Sequence, residues 1–342
     1  MKYSCLILLL SLFSCHKGST PEKVRFQNPV FEPVFADPTV LRTDEGVFYA
    51  YATQDDWGDG QGSRLVPVIK SVDFIHWEYV GNAFQHKPDW KTKGGIWAPD
   101  IVKVGGRYHL YYSFSTWGDP NPGIGLAVAD HPAGPFEDKG KLFLSDEINV
   151  PNSIDPYYLE DNGKKFLFWG SYNNGENQGT YGVQLSDDGT FVPDPARKIK
   201  VAAGDFEAVV IHKKGQYYYF IGSKGSCCDG ENSSYHLRVG RSKNLFGPYM
   251  DEMGNDLRER GAGTLLLKGD SRFAGPGHNS RLFQDKNKTD WMLYHAILKS
   301  NPRLKSGANR RVLMLGKVLW KNGWPYLETG TPITESSSKP RF

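Results

Sequence analysis

The 342-residue chain has no apolar run long enough to cross a bilayer, which takes about 20 residues as a helix. Cysteine is scarce: four residues, two of them adjacent, so a stapled disulfide scaffold is excluded and the fold must rest on an apolar core. Charge of one sign is also lacking. The 41 basic and 38 acidic side chains leave a formal charge of +3, and no run of five or six like charges exists to hold a nucleic-acid backbone. Beyond the N-terminus no segment keeps a 3.6-residue apolar period over three turns, which argues against helical bundles and coiled coils. What the chain does have is 38 glycines, 21 prolines, 9 Trp, 18 Tyr and 19 Phe, a balance that favours short strands joined by many turns.

The one early apolar stretch, Leu6 to Phe13, follows Lys2 and is too short to span a membrane. It reads as a signal segment over residues 1–14. Leu12-Phe13-Ser14-Cys15 resembles a bacterial lipobox, which makes Cys15 the expected lipidation site and residues 15–23 a tether. An ordinary secretory signal cut nearby is the other reading. Both place the protein outside the cytoplasm, and the first makes it a cell-envelope lipoprotein, facing the periplasm or the cell surface, whose only membrane contact is its lipid. Cys227 and Cys228 are adjacent, so they are two thiols or a local vicinal bridge.

Alternating aromatic stretches recur along the chain, each after a turn rich in Gly, Asp, Asn or Lys: Phe48 to Tyr51, Tyr108 to Tyr112, Phe166 to Trp169, Tyr217 to Phe220 and Trp291 to Tyr294. Each predicts a hairpin. Their first residues are 60, 58, 51 and 74 positions apart. Such a period in an all-β chain predicts a five-bladed β-propeller, here over residues 24–332 as one domain, with a polar tail over 333–342. Between 8 and 13 positions before each hairpin stands a polar residue: Asp37, Asp100, Asp155, Glu207 and His278. The innermost strands of a propeller line its axis, so these residues are expected to converge at one end of the channel. Acids crowded there repel, so one is held protonated while another stays ionised. That is the pair that glycosidic bond cleavage needs.

At Asp37, Asp155 and Glu207, and also at Trp97-Ala98-Pro99-Asp100-Ile101 and Gly275-Pro276-Gly277-His278-Asn279-Ser280, the sequence resembles glycoside hydrolase family 43. The segment Gly225-Ser226-Cys227-Cys228-Asp229-Gly230, with Tyr111-Tyr112-Ser113-Phe114 upstream, is similar to the arabinan-degrading branch. The resemblance implies an inverting mechanism with Asp37 as general base, Glu207 as general acid and Asp155 tuning and orienting the acid. It further implies Trp97 and Phe114 as sugar platforms, with Trp117 a further candidate, and Asn152, Ser171 and His278 as substrate contacts. A Ca2+ or Na+ would be held in the channel by His278 and waters, with no organic cofactor. Asp100 carries no proton transfer in that scheme and is expected to be a structural hydrogen bonder. The implied substrate is an arabinose- or xylose-containing plant oligo- or polysaccharide, foremost α-L-arabinan attacked as by an endo-1,5-α-L-arabinosidase. The alternatives are an exo-acting α-L-arabinofuranosidase or β-xylosidase, or a propeller that binds sugar without cleaving it. A monomer is expected, with no nucleic-acid partner.

Overall fold

The aromatic hairpins read from the sequence are the inner halves of antiparallel sheets. The structure, a computed structural model, describes residues 25–170, 172, 175, 177–336 and 338–342. The expected signal over 1–14, Cys15, the tether over 15–23 and Ser171 lie outside the described residues. Among the described residues the long strands group into five blades, each four strands deep along its main path. Blade 1 comprises Thr39–Arg42, Phe48–Tyr51, Pro67–Ser71 and Glu78–Asn82; blade 2, Gly95–Val104, Arg107–Ser115, Gly123–Ala129 and Glu137–Leu144. Blade 3 comprises Ile154–Asp161, Lys164–Gly170, Gly179–Gln184 and Ile199–Ala203; blade 4, Glu207–Lys214, Tyr217–Lys224, His236–Ser242 and Thr264–Leu267. Blade 5 comprises Phe273–Gly277, Asp290–Leu298, Arg311–Lys321 and Trp324–Tyr326, and Phe283–Gln284 pairs with its second strand.

The aromatic density follows from this geometry. A strand sends successive side chains to opposite faces, and in a propeller both faces are buried, each against a neighbouring blade. In blade 2, Tyr108, Leu110, Tyr112 and Phe114 pack with Leu41, Tyr51 and Val68 of blade 1, while Tyr111 packs with Tyr158, Leu167 and Trp169 of blade 3. The described apolar core divides into five clusters, one for each interface between adjacent blades, and the fifth joins Leu293, Leu313 and Leu315 of blade 5 to Val40, Phe48 and Ile69 of blade 1.

Both ends of the described chain reinforce that last interface. Val30 and Phe35 donate their amides to the carbonyls of Leu313 and Arg311, and Phe26–Gln27 pairs with Glu335–Ser336. The segment expected as a polar tail therefore lies against the propeller, and Phe342 packs its ring 4.7 Å from Phe48 and 5.2 Å from Phe74.

Candidate active site

Every inner strand is kinked at the same place. Just before the kink stands Trp97, Ile154, Glu207 or Gly277, paired respectively with Ser113, Gly170, Ser223 or His295 on the second strand of its own blade. In blade 1 the corresponding residue is Ala36, whose carbonyl accepts the Thr53 amide. The next residue has a left-handed backbone: Asp37 (φ 54°), Ala98 (42°), Asp155 (57°), Ala208 (55°) and His278 (46°). This non-glycine strain costs about 1 to 3 kcal/mol per residue and clusters at functional sites. It turns the chain sharply at the channel mouth, so the side chains on either side of the kink open into one space.

That space is a cavity of about 690 Å3 lined from all five blades, and Asp37, Asp155, Glu207 and His278 all face it. Asp37 is almost completely tied up. Its Oδ2 accepts from Thr53 Oγ1 at 2.6 Å, and its Oδ1 from Arg311 at 2.8 Å, with His278 Nδ1 3.3 Å away. Burial alone would raise its pKa, but the Arg311 and His278 charges outweigh that and hold the carboxyl well below the usual range. The Asp37 amide donates to Nδ1 of His295 at 3.1 Å, which fixes that ring with its proton on Nε2. Burial keeps His295 neutral, with its pKa lowered to about 4.

The other two acids move the opposite way. Glu207 is pushed up to about 8, first by burial and then by the Asp155 charge, against the phenol of Tyr235 and the His278 charge. Asp155 is raised to about 6 by burial, opposed by His278. Asp155 Oδ2 accepts the amide of Ala208 at 3.1 Å, one residue from Glu207. Gly277 lets Tyr235 come close, because a Cβ on that glycine would stand 2.2 Å from the Tyr235 ring. Near neutral pH one cavity thus holds an ionised carboxylate, Asp37, and a protonated carboxyl, Glu207.

Asp100, expected at the channel mouth as a structural hydrogen bonder, and Phe114, expected as a sugar platform, lie elsewhere. Asp100 is two residues past the kink of its blade and faces the channel interior. There it accepts from Thr39 Oγ1 (2.9 Å) and the Tyr158 amide (2.7 Å), and both of its oxygens bind Arg281 (2.7 and 2.9 Å). It is a structural tie, and blade 2 places Ala98 at the mouth instead. Phe114 is corrected as a sugar platform: it is 1% exposed, in the core between blades 1 and 2, with its ring 5.1 Å from Trp90. Its strand position turns it toward blade 1 rather than toward the cavity.

Trp97 does line the cavity, with Trp117 5.7 Å away and 79% exposed. Asn152 also lines it and donates from Nδ2 to the Tyr172 carbonyl at 3.0 Å. Cys227 and Cys228 form a vicinal disulfide in the cavity wall, and Asn309 donates to the Cys228 carbonyl at 2.8 Å. Thr53, Arg311, Tyr235, Asp55 and this disulfide escaped the reading of the sequence as site components. Thr53 and Arg311 carried no signal beyond their residue type, whereas Cys227-Cys228 did. For a metal, no cluster of three or more His, Cys, Asp and Glu side chains among the described residues is arranged as a cage. His278 Nδ1 faces Asp37, so the ring could offer only Nε2 to a hydrated cation, and only after giving up the proton that makes it a positive charge beside Asp37.

Residues 26–325 match the sequence profile of glycosyl hydrolases family 43. The chain belongs to that family. It is 32% identical over 320 residues to an extracellular exo-α-(1→5)-L-arabinofuranosidase of Cellvibrio japonicus, covering 85% of this chain and 86% of that one. It is 31% identical over 304 residues to an extracellular endo-α-(1→5)-L-arabinanase of Bacillus subtilis, covering 84% and 86%. The solved structure of Cellvibrio cellulosa α-L-arabinanase complexed with arabinohexaose superposes with a TM-score of 0.73 at 30% identity, over 86% of this chain and 96% of that one. As a family 43 member the protein is a glycoside hydrolase, and its five-bladed propeller is the fold expected from the repeats.

Proposed function

We propose that the protein is an inverting hydrolase of α-L-arabinan or its oligosaccharides. The observation that carries the reading is the divergence of two carboxyl environments in one cavity: Asp37 kept ionised by Arg311 and His278, Glu207 kept protonated by burial and Asp155. Divergent environments of this kind separate a base from an acid. Asp37 takes a proton from a water whose oxygen attacks the anomeric carbon. The glycosidic C–O bond breaks, and Glu207 donates its proton to the leaving oxygen, so the configuration inverts. Asp155 orients Glu207 and opposes its ionisation. Trp97 offers an apolar ring to one sugar face, and Asn152 and His278 offer polar contacts. A hydrated Ca2+ or Na+ on His278 would require the neutral ring and would take the place of its proton as the positive charge beside Asp37.

The arabinan assignment is supported by the relatives, which act on α-1,5-arabinan by name and include both exo and endo enzymes. Export is supported by their description as extracellular, and the lipid anchor at Cys15 by its lipobox-like context. The test is incubation with debranched arabinan beside chromogenic α-L-arabinofuranoside and β-xyloside. Short oligosaccharides from arabinan indicate endo action and single arabinose units exo action. Hydrolysis of xyloside alone, or of nothing, overturns the proposal. Loss of fatty-acid labelling in Cys15→Ala tests the anchor.

A further inference from the structure

The kinked residues share a device with one exception. At four of the five kinks the amide of the left-handed residue is received by a side chain from the second strand of the preceding blade or, in blade 1, from two residues beyond it. Asp37 donates to His295 (3.1 Å), Ala98 to Thr53 Oγ1 (2.8 Å), Asp155 to Ser113 Oγ (2.8 Å) and His278 to Ser223 Oγ (2.9 Å). These four acceptors occupy one register position, opposite the residue that precedes each kink. In blade 3 the register puts Gly170 there, opposite Ile154, and glycine has nothing to offer the Ala208 amide of blade 4. A buried amide left without an acceptor is destabilising. The amide goes instead to Asp155 Oδ2, at 3.1 Å. Gly170 also sets the approach of the fourth blade, since a Cβ on it would stand 3.1 Å from Glu207 Cα.

We infer that Gly170 is a positioning residue of the reaction: by withholding the side chain that the other blades supply, it hands the Ala208 amide to Asp155 and so clamps that carboxylate beside Glu207. This rests on the assignment of Glu207 as the acid. The exception falls at the blade that carries Glu207, and the acceptor recruited is itself a cavity carboxylate. The charged and titratable groups around Glu207 are Asp155 from blade 3, Tyr235 from blade 4, His278 from blade 5 and Asp37 from blade 1, with Tyr172 also within electrostatic reach. Asp155 in turn feels His278, Asp37 and Arg311.

The test compares Gly170→Ser with Gly170→Ala. Both add the same Cβ against Glu207, but only serine adds an oxygen that can take the Ala208 amide. Freed from that amide, Asp155 binds its proton more readily or moves off, and either change lets Glu207 ionise more easily. Gly170→Ser is therefore expected to move the basic limb of the kcat/KM profile at least about half a pH unit lower than in Gly170→Ala. It should also lower kcat on arabinan about tenfold with KM little changed, and recover most of the rate on an aryl arabinofuranoside with a good leaving group. An identical limb in both folded variants overturns the inference. A readout that needs no substitution at Gly170 is the Ala208 amide proton in protein labelled with 15N-alanine. It should titrate together with Asp155 in the wild type and lose that response in Asp155→Asn, and an amide indifferent to both overturns the inference. Glu207→Gln keeps the underlying assignment separate: full activity of that variant on arabinan refutes the acid role itself, whereas an inactive Glu207→Gln with no effect at Gly170 refutes only the positioning.

Discussion

At the residue scale, the two carboxyl groups assigned to proton transfer differ in what surrounds them. Asp37 has three polar partners and two nearby cations, and Glu207 has a half-buried position in the cavity wall, a phenol and a neighbouring acid. This difference predicts asymmetric variants. Asp37→Asn removes the base, so kcat should fall about 10^2- to 10^4-fold on natural and activated substrates alike. Glu207→Gln should fall comparably on arabinan yet recover on an aryl glycoside whose leaving group needs no proton. Steady-state kinetics on both substrates, with folding checked by circular dichroism, decide it; equal losses on both would refute the division of roles. The same environment has a stability consequence. The Glu207 pKa is raised in the folded state, so its contribution is fully present below its unfolded pKa and is lost as pH rises toward about 8. Glu207→Gln escapes that loss. Its melting temperature should exceed that of the wild type by a few degrees at pH 8.5 and match it at pH 4.

At the scale of the strand, the half-buried disulfide offers an apolar surface in the wall of the cavity that Trp97 also lines. Mild reduction of Cys227–Cys228 by a dithiol should raise KM for long arabino-oligosaccharides several-fold and leave the aryl glycoside, a smaller ligand, unaffected. An unchanged KM after both thiols are verified by mass spectrometry would show that this wall does not touch the sugar. The inner strands also mark where a sequence reading stops. The five hairpins are legible because period-2 aromatic runs after Gly-rich turns have one interpretation, and Asp37, Asp155 and His278 fall on the kink. Glu207 stands one residue before its kink and Asp100 two residues after, because repeats aligned by polar residues do not reveal where the backbone turns left-handed. That offset sent Asp100 into the channel interior, and a one-position change of face buried Phe114 between blades. Ser113, Thr53 and Ser223 look like ordinary strand hydroxyls until the register pairs them with amides of the next blade.

At the scale of the whole molecule, five apolar interfaces among the described residues hold the ring, and a polar tie runs through its axis. Asp100 of blade 2 receives Thr39 of blade 1, the Tyr158 amide of blade 3 and Arg281, from the segment after the first strand of blade 5. Asp100→Ala leaves the half-buried Arg281 guanidinium, the Thr39 hydroxyl and the Tyr158 amide without their shared acceptor, which should cost about 1 to 3 kcal/mol in chemical denaturation. kcat at a permissive temperature should change little, and a large kcat loss in a well-folded variant would give Asp100 a part in the chemistry. The propeller brings an ionised and a protonated carboxyl from opposite parts of the chain to one cavity, and that arrangement underlies the proposed single displacement by water. The most direct measurement is proton NMR of the first anomer released from an α-1,5-linked arabino-oligosaccharide, followed before mutarotation. The account predicts β-L-arabinofuranose at the new reducing end. Initial release of the α anomer would contradict it.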